Sequence, residues 1–498
     1  MGEKKHLFGS TEKSDFILNM TEQGTKKLCG IYCMIAMLVV ALAAIPYYLT
    51  KNIVDYVSTE TGFEVTHYLS EKLVFLVSTL FIAAGLIGFL IFLVGHIKQE
   101  VIIKNNKALL WFAGFITVSV ISTLCADSIM YAFYGYLDRS EGLLSILGYL
   151  GFFSMAMTVT GDNWRLRISD LLVGIGAVNG VIGILQSIPS VGSKIPNYFQ
   201  YLFKDFGTAV GEGEIVINNL IHTEGYIATG LAATPFALAA LLTVAFAAAV
   251  SGAAFDRSVP RRILYLVSAA VMSVCAAFTR VLPAVIGICA AAAAAALIGI
   301  IRKIKAEEKP SALPALSGIL IAALSLGIIF GSGLSSFKDE QIIFTDCYDR
   351  LSISAGARED TSSWIYSYLW DDGMYVVQNH PVLGTGPDNW GTMYSLGAVI
   401  DRSYNEYIDT AAQRGIFCLI IYVFILLITL KKAFEAVTGF IRQKNNWVSA
   451  AVTCAVIAYI IQAFFNISSV SSTPFFWLCI GLIWSYTAKG KVKNTKQK

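Results

Sequence analysis

Twelve runs of about 17–25 predominantly apolar residues divide this chain, and each is long enough to cross a bilayer as an α-helix. They lie at 28–50, 73–95, 108–126, 143–160, 170–190, 226–250, 263–279, 281–301, 313–333, 415–430, 447–465 and 471–488. In hydrocarbon a backbone must satisfy its own polar groups, so runs of this length dictate helices. The chain is 56% hydrophobic and 14% charged, whereas an ordinary soluble domain is about 25% charged. The expected fold is an all-α polytopic membrane protein. Its first run begins near residue 28, behind a lysine-bearing polar segment, and is of full spanning length; it reads as a retained helix. The nine cysteines include no CxxC pair and no Cys/His cluster with zinc spacing.

The distribution of charge orients the bundle. Lysine and arginine concentrate in cytoplasmic loops. With the N-terminus inside, the seven inner segments carry 26 of the 37 lysines and arginines, and the outer segments carry 23 of the 34 acids. Every inner segment is basic, and one miscounted span would spoil the alternation. An even number of spans puts both termini in the cytoplasm. The division expected is a cytoplasmic tail over 1–27, spans one to nine over 28–333, a large extracytoplasmic loop over 334–414, spans ten to twelve over 415–488, and a basic cytoplasmic tail over 489–498.

Most connections are short. The 334–414 loop is the exception, and 191–225 is the second-largest outer segment. Long structured loops are commonly functional. Within the large loop, "SSWIYSYLWDDGMYVVQNH" (362–380) predicts an amphipathic helix with Trp364, Ile365, Tyr368, Leu369 and Val376 on one face. Pro381 ends it. "PVLGTGPDNW" follows as a tight turn. A second short helix is expected through "YNEYIDTAAQR", breaking at Gly415. "DDG" (371–373) reads as a solvated helix face.

The span interiors hold no Asp, Glu, Lys, Arg or His. Ion-coupled transporters keep such groups near the midplane, so the pattern argues against a proton-driven carrier and against chemistry deep in the bilayer. Ionisable residues gather instead at the outer rim. "YGYLDRSEGLLS" presents Arg139, "FTRVLP" presents Arg280, "GARED" presents Arg358, and "DRSYNEYIDTAAQRG" presents Arg402, Tyr404, Asn405, Glu406, Asp409 and Arg414. Guanidinium forks bind phosphate oxygens in pairs and stay charged, and their apolar stems tolerate the lipid boundary. Such arginines suit a lipid-linked phosphate or pyrophosphate. A boundary arginine also serves as a snorkelling anchor or an ion-pair partner: Arg139 has Asp138 and Glu141 beside it, and Arg358 has Glu359 and Asp360. Arg280 differs, because its own turn contains no acid.

In this order the motifs resemble the bacterial O-antigen ligase / O-antigen polymerase family, membrane glycosyltransferases that use undecaprenyl-pyrophosphate-linked glycans. The stretches that carry the resemblance are "YGYLDRSEGLL", "IGILQS" with Gln186, "FTRVLP", "NHPVLGTGPDNW", "YNEYIDTAAQRG" and "IQAFFNISS", spread over roughly 110–488. Two departures stand out: Tyr404 occupies the position of the ligase histidine, and Val281 follows the turn arginine where the family has a small residue.

The resemblance implies a GT-C-like bundle in the cytoplasmic (inner) membrane, with one large loop between spans nine and ten. It implies a transfer without nucleotide sugar, metal or other cofactor. Its partners would be an undecaprenyl-pyrophosphate-linked oligosaccharide, a glycan or lipid acceptor, the bilayer and other polysaccharide assembly proteins, with no nucleic acid. Carried over residue by residue, Arg139 and Arg280 form the pyrophosphate clamp, with Arg358 and Arg402 as further candidates. Glu406, Asp409 and His380, in that order, are candidate general bases. A tyrosine of ordinary pKa, about 10, makes Tyr404 a poor base near neutrality. Asn405 either orients the sugar or caps a helix, and Gly384 and Gly386 either offer amides to phosphate or form a plain turn. A glycan flippase and a non-catalytic envelope assembly protein remain as alternative readings.

Overall fold

The computed structural model describes residues 22–43, 45, 78–93, 109–135, 140–159, 161–188, 228–232, 234–279, 281–305, 364–390 and 402–487. Among these the chain is helical, with no strand. The helices are α1 (Glu22–Leu42), α2 (Ser78–Leu93), α3 (Leu109–Leu124), α4 (Ile129–Tyr134), α5 (Leu143–Met157), α6 (Asp162–Ser187), α7 (Pro235–Phe255), α8 (Val259–Phe278) and α9 (Leu282–Lys305). They continue with α10 (Trp364–Asn379), α11 (Glu406–Arg414), α12 (Ile416–Ile441), α13 (Val448–Gln462) and α14 (Thr473–Thr487).

Apolar helices occupy eleven of the twelve expected positions. The twelfth, 313–333, lies outside the described residues. Among the described residues, six segments are long and apolar enough to cross a membrane: α6, α7, α8, α9, α12, and α13 with the 3-10 turn that follows it. The other five, in α1, α2, α3, α5 and α14, are shorter apolar helices of 10–17 residues.

The core is built around α7. Residues Pro235 to Ala254 are all buried, so this helix meets protein on every side. Its sequence explains how: half of "ALAALLTVAFAAAV" is alanine, and small residues let neighbouring backbones approach closely. Helices α6, α8, α9 and α13 surround it. On α9, Gly287 faces Thr243 so closely that a Cβ there would lie 1.9 Å from the threonine Oγ1. A second close approach joins α2 to α5, where a Cβ on Gly151 would lie 1.9 Å from the Gly85 carbonyl oxygen. Aromatic contacts tie α3 to α5 and α14: Phe112 stacks on Phe153 at 4.2 Å and meets Trp484 edge-on at 5.3 Å.

Several helix boundaries differ from the sequence expectation, and three of them bear on the two ends of the bundle. The span expected at 226–250 begins nine residues later, at Pro235, with Thr234 capping it by accepting from the Ala237 N–H at 3.1 Å. Residues 228–232 form a non-helical turn instead, held by Gln186 and Asn179 of α6. Helix α12 continues to Ile441, eleven residues past its expected end, and sets Lys432 over the Trp484 ring at 4.6 Å. Helix α6 starts at Asp162, eight residues early.

These extensions give the bundle two distinct polar ends. At one, Arg165 donates to the Ser485 carbonyl (2.8 Å), Arg261 pairs with Asp170 (2.6 Å) and Asp256 (3.6 Å), and Trp447 donates to Asp256 (3.1 Å). At the other, Ser122 donates to the Gln413 carbonyl, Ala228 to that of Phe278, and Asn466 to that of Phe236. The second end gathers acids, and the candidate site lies there.

Candidate active site at the acidic end

Local geometry begins with α11. Asn405 caps it: its Oδ1 accepts from the Tyr407 and Ile408 amides at 3.1 and 3.3 Å. Of its two expected roles, capping is the one the structure displays. Asp409, one turn on, accepts from both the Ser403 amide and the Ser403 hydroxyl at 2.8 Å. The 403–405 turn is thereby cinched onto the helix, and Tyr404 is held at φ 53° against the Phe236 ring (4.7 Å). At the far end, Gly415 (φ 82°) stops the helix. The expected α11 and its break thus both form, as does α10 with its end before Pro381.

The 380–390 turn lies along α11. Thr385 donates to the Ala412 carbonyl (3.0 Å), Gly386 to that of Gln413 (2.8 Å), and Gly384 to that of His380 (3.1 Å). The amides of Gly384 and Gly386 are therefore engaged by the chain itself; of their two expected roles, the plain turn is the one the structure displays. Their glycine identity has a packing cause: a Cβ on Gly384 would lie 2.3 Å from the Gln413 carbonyl carbon, and one on Gly386 2.4 Å from the Ala126 Cβ. The turn delivers Asp388, at φ 55°, into the interior.

"DDG" is also corrected. Asp371 is exposed, but Asp372 is buried and Gly373 lies against Ile408, Trp390 and Ser403. Leu369, Val376 and Val377 line the buried side of α10; the other expected face residues, Trp364, Ile365 and Tyr368, have side chains outside the described set.

Glu406 sits in the first turn of α11, 7% exposed. Its Oε1 accepts from Tyr422 of α12 at 2.7 Å, while its Oε2 has no hydrogen-bond partner among the described residues. Burial pushes its carboxyl up to about 7, opposed by Tyr422, Tyr459 and Arg414 and assisted by Glu141. Asp409 is raised to about 6 by burial, against the Ser403 bonds and Arg402. A carboxyl poised near neutrality can take a proton and release it.

Arg402 is 4% exposed. It donates to the Ser468 carbonyl at 3.0 Å and stands 3.6 Å from Asp388. In this structure it is an internal counter-ion to Asp388. Glu141, beside it, accepts from Tyr149 (2.7 Å) and Ser468 (3.1 Å), and its amide donates to Asp388 (3.2 Å). Burial raises the Glu141 carboxyl, with Arg402 as the main opposing influence. Of four non-glycine residues with positive φ among those described, three are Ser140, Asp388 and Tyr404. Such backbone persists where the surroundings over-determine it, and it clusters at functional sites.

Sequence reasoning weighed Glu141 only as a local partner of Arg139 and did not single out Asp388. Each lay inside a quoted motif, "RSEG" and "GPDNW", as an acid beside glycine or proline in a loop. Arg139, Arg280 and Arg358 lie outside the described residues. Their described neighbours belong to this end: Ser140 precedes Glu141, and Thr279 and Val281 are buried where Phe278 accepts from Ala228. His380 terminates α10, and its ring joins none of the carboxylates among the described contacts. Two further quoted motifs act as braces. Gln186 accepts from Thr229 (3.0 Å) and Gly230 (2.8 Å). Asn466 links Gln462 to the head of α7.

Residues 266–423 match the family model described as O-Antigen ligase. No curated protein matches the chain. The matched stretch takes in the later part of α8, then α9, α10, α11 and the start of α12, and so includes Asp388, Arg402, Glu406 and Asp409.

Proposed function

We propose, from the match of residues 266–423 to the O-antigen ligase model, that the chain is a member of the O-antigen ligase/polymerase family and joins an undecaprenyl-pyrophosphate-linked glycan to an acceptor hydroxyl at the outer leaflet. The coarse activity, an O-antigen ligase-type membrane glycosyltransferase, follows from the family. The observation that carries the finer reading is Glu406: a buried carboxyl, poised near 7, with one oxygen that has no hydrogen-bond partner among the described residues, beside the acid-rich turn.

In the proposed step the acceptor oxygen forms a bond to the anomeric carbon. The bond from that carbon to the pyrophosphate oxygen breaks, and lipid pyrophosphate leaves with the electron pair. The acceptor proton passes to Glu406. Charge grows on the leaving group, so arginines fixed against it bind the transition state more tightly than the ground state and lower the barrier. Arg139 and Arg280 take that role, with Arg358 as a further donor from the large loop. Asp409 braces the turn beside Glu406. Tyr404, in the place of the ligase histidine, favours polymerase over ligase.

The test is transfer by the full-length protein, reconstituted in vesicles with lipid-linked oligosaccharide. Arg139→Ala and Arg280→Ala should insert normally and lose product formation by about 100-fold or more, the scale of one lost transition-state donor. Full activity in both variants removes the reading. Products lengthened at the lipid identify a polymerase; products on a different acceptor identify a ligase.

A further inference from the structure

Helices α12 and α13 each bring a tyrosine to one carboxyl of α11. Glu406 Oε1 accepts from the Tyr422 hydroxyl of α12 at 2.7 Å, while Oε2 has no hydrogen-bond partner among the described residues. The Tyr459 hydroxyl of α13 acts on the same carboxyl and lies 3.2 Å from Thr473 Oγ1 of α14. Both tyrosines are locked by packing. Tyr422 is 3% exposed, and its ring meets those of Phe115 (5.9 Å), Tyr407 (6.3 Å) and Trp477 (6.3 Å). Tyr459 is buried and stacks on Phe476 at 3.8 Å.

We propose that Tyr422 is a positioning residue: it holds Glu406 Oε1 and so reserves Oε2 for the proton of the acceptor hydroxyl. The proposal rests on the reading that Glu406 is the general base. A buried hydroxyl is costly unless it is bonded, and among the described residues the Tyr422 hydroxyl bonds to Glu406. A phenol suits the task. Its O–H donates to Oε1 when the carboxyl is ionised, and still does so when the proton sits on Oε2, because a protonated carboxyl keeps an acceptor oxygen. The bond therefore survives the arrival and departure of the proton, and the side chain keeps its stance. Protonation on Oε1 would instead break or reverse it. A donor to the ionised form also opposes the burial that lifts this carboxyl to about 7. Tyr459 and Arg414 act in the same direction as Tyr422, and Glu141 acts against them. The flanking elements carry Asp409 on α11, Cys418 on α12, Asp372 on α10 and the Asp388–Arg402 pair, while α3 carries no ionisable group.

The experiment is transfer by the full-length reconstituted protein as a function of pH, for Tyr422→Phe and Tyr407→Phe. Each removes one hydroxyl and keeps the ring, but Tyr407 donates to the Ile460 carbonyl (2.7 Å). Tyr422→Phe should move the ascending limb of turnover up by about one pH unit, the scale of a hydrogen bond to a charged group. Turnover on the limb then falls about tenfold, with KM for the lipid-linked donor within about twofold. Tyr407→Phe should leave the limb in place. A second readout needs no turnover: the protonated-carboxyl infrared band that Glu406→Gln removes should titrate about one unit higher in Tyr422→Phe. A limb or band unmoved by Tyr422→Phe, or moved equally by Tyr407→Phe, overturns the positioning role alone. A limb that survives Glu406→Gln overturns the base reading beneath it.

Discussion

Glu406 shows how one residue's surroundings convert an ordinary acid into a candidate base. On the surface of a helix its first-turn position would favour ionisation. Here burial outweighs both the helix end and the Tyr422 bond, and the carboxyl rises to about 7. The sign follows directly. Acceptor activation needs the ionised form, so turnover should climb with pH through about 7 and level above it. Glu406→Gln should lower turnover by a factor of about 10²–10⁴ and abolish that ascending limb; a limb that survives the substitution would assign the titration elsewhere. Stability runs the other way. A carboxyl raised in the folded state favours folding fully below its unfolded value, and that contribution is lost as pH rises through about 7. Asp409, raised to about 6, adds a loss over a slightly lower window. At this scale the sequence was informative about residue type and poor about role. "NEYID" marked Glu406 and Asp409 as candidates, but only packing separates a carboxylate with an oxygen lacking a hydrogen-bond partner among the described residues from one that braces Ser403. The ion pairing of Arg402 was hidden for the same reason: its counter-ions, Asp388 and Glu141, lie 14 and 261 residues away.

Among elements, the contact between the 380–390 turn and α11 governs the site, since it sets both Asp388 and Glu406. Gly384 sits at its tightest point, at φ 68°. Gly384→Ala would force a Cβ into the Gln413–Arg414 backbone and strain the turn by about 1–3 kcal/mol from conformation alone. A lower unfolding temperature and loss of transfer are the expected outcomes, whereas Gly174→Ala, on α6 with nothing within 4 Å of its Cβ, should change neither. A normal Gly384→Ala protein would show that the turn does not govern the site. The helices α10 and α11 were legible because proline and glycine punctuate them. Helix α7's start was not, since the 226–234 stretch is as apolar as a span; Gln186 and Asn179, from another helix, decide that 228–232 turns instead. Asp372 was misread because α10 lies over α11 with Gly373 in contact, a burial its own periodicity does not encode.

For the molecule as a whole, among the described residues basic side chains outnumber acids at one end of the bundle and acids outnumber basic side chains at the other. Arg165, Arg167, Arg257, Arg261, Arg262, Arg302 and Lys444 belong to the end where α6 starts and α12 finishes; Glu141, Asp372, Asp388, Glu406 and Asp409 belong to the other. Alternation of charge along the chain becomes segregation in space where each described helix runs from one end of the bundle to the other. Positive charge is retained on the cytoplasmic side of a membrane, so the basic end should face the cytoplasm and the proposed transfer site the exterior. Exposed positions at each end make this testable: Asp127 follows α3 at the acidic end, and Lys444 follows α12 at the basic end. In a cysteine-free background, a membrane-impermeant maleimide applied to intact cells should label Asp127→Cys and spare Lys444→Cys until the membrane is opened. Labelling of Lys444→Cys alone would turn the bundle over, placing Glu406 on the cytoplasmic side, where no glycan hung from the outer leaflet could reach it.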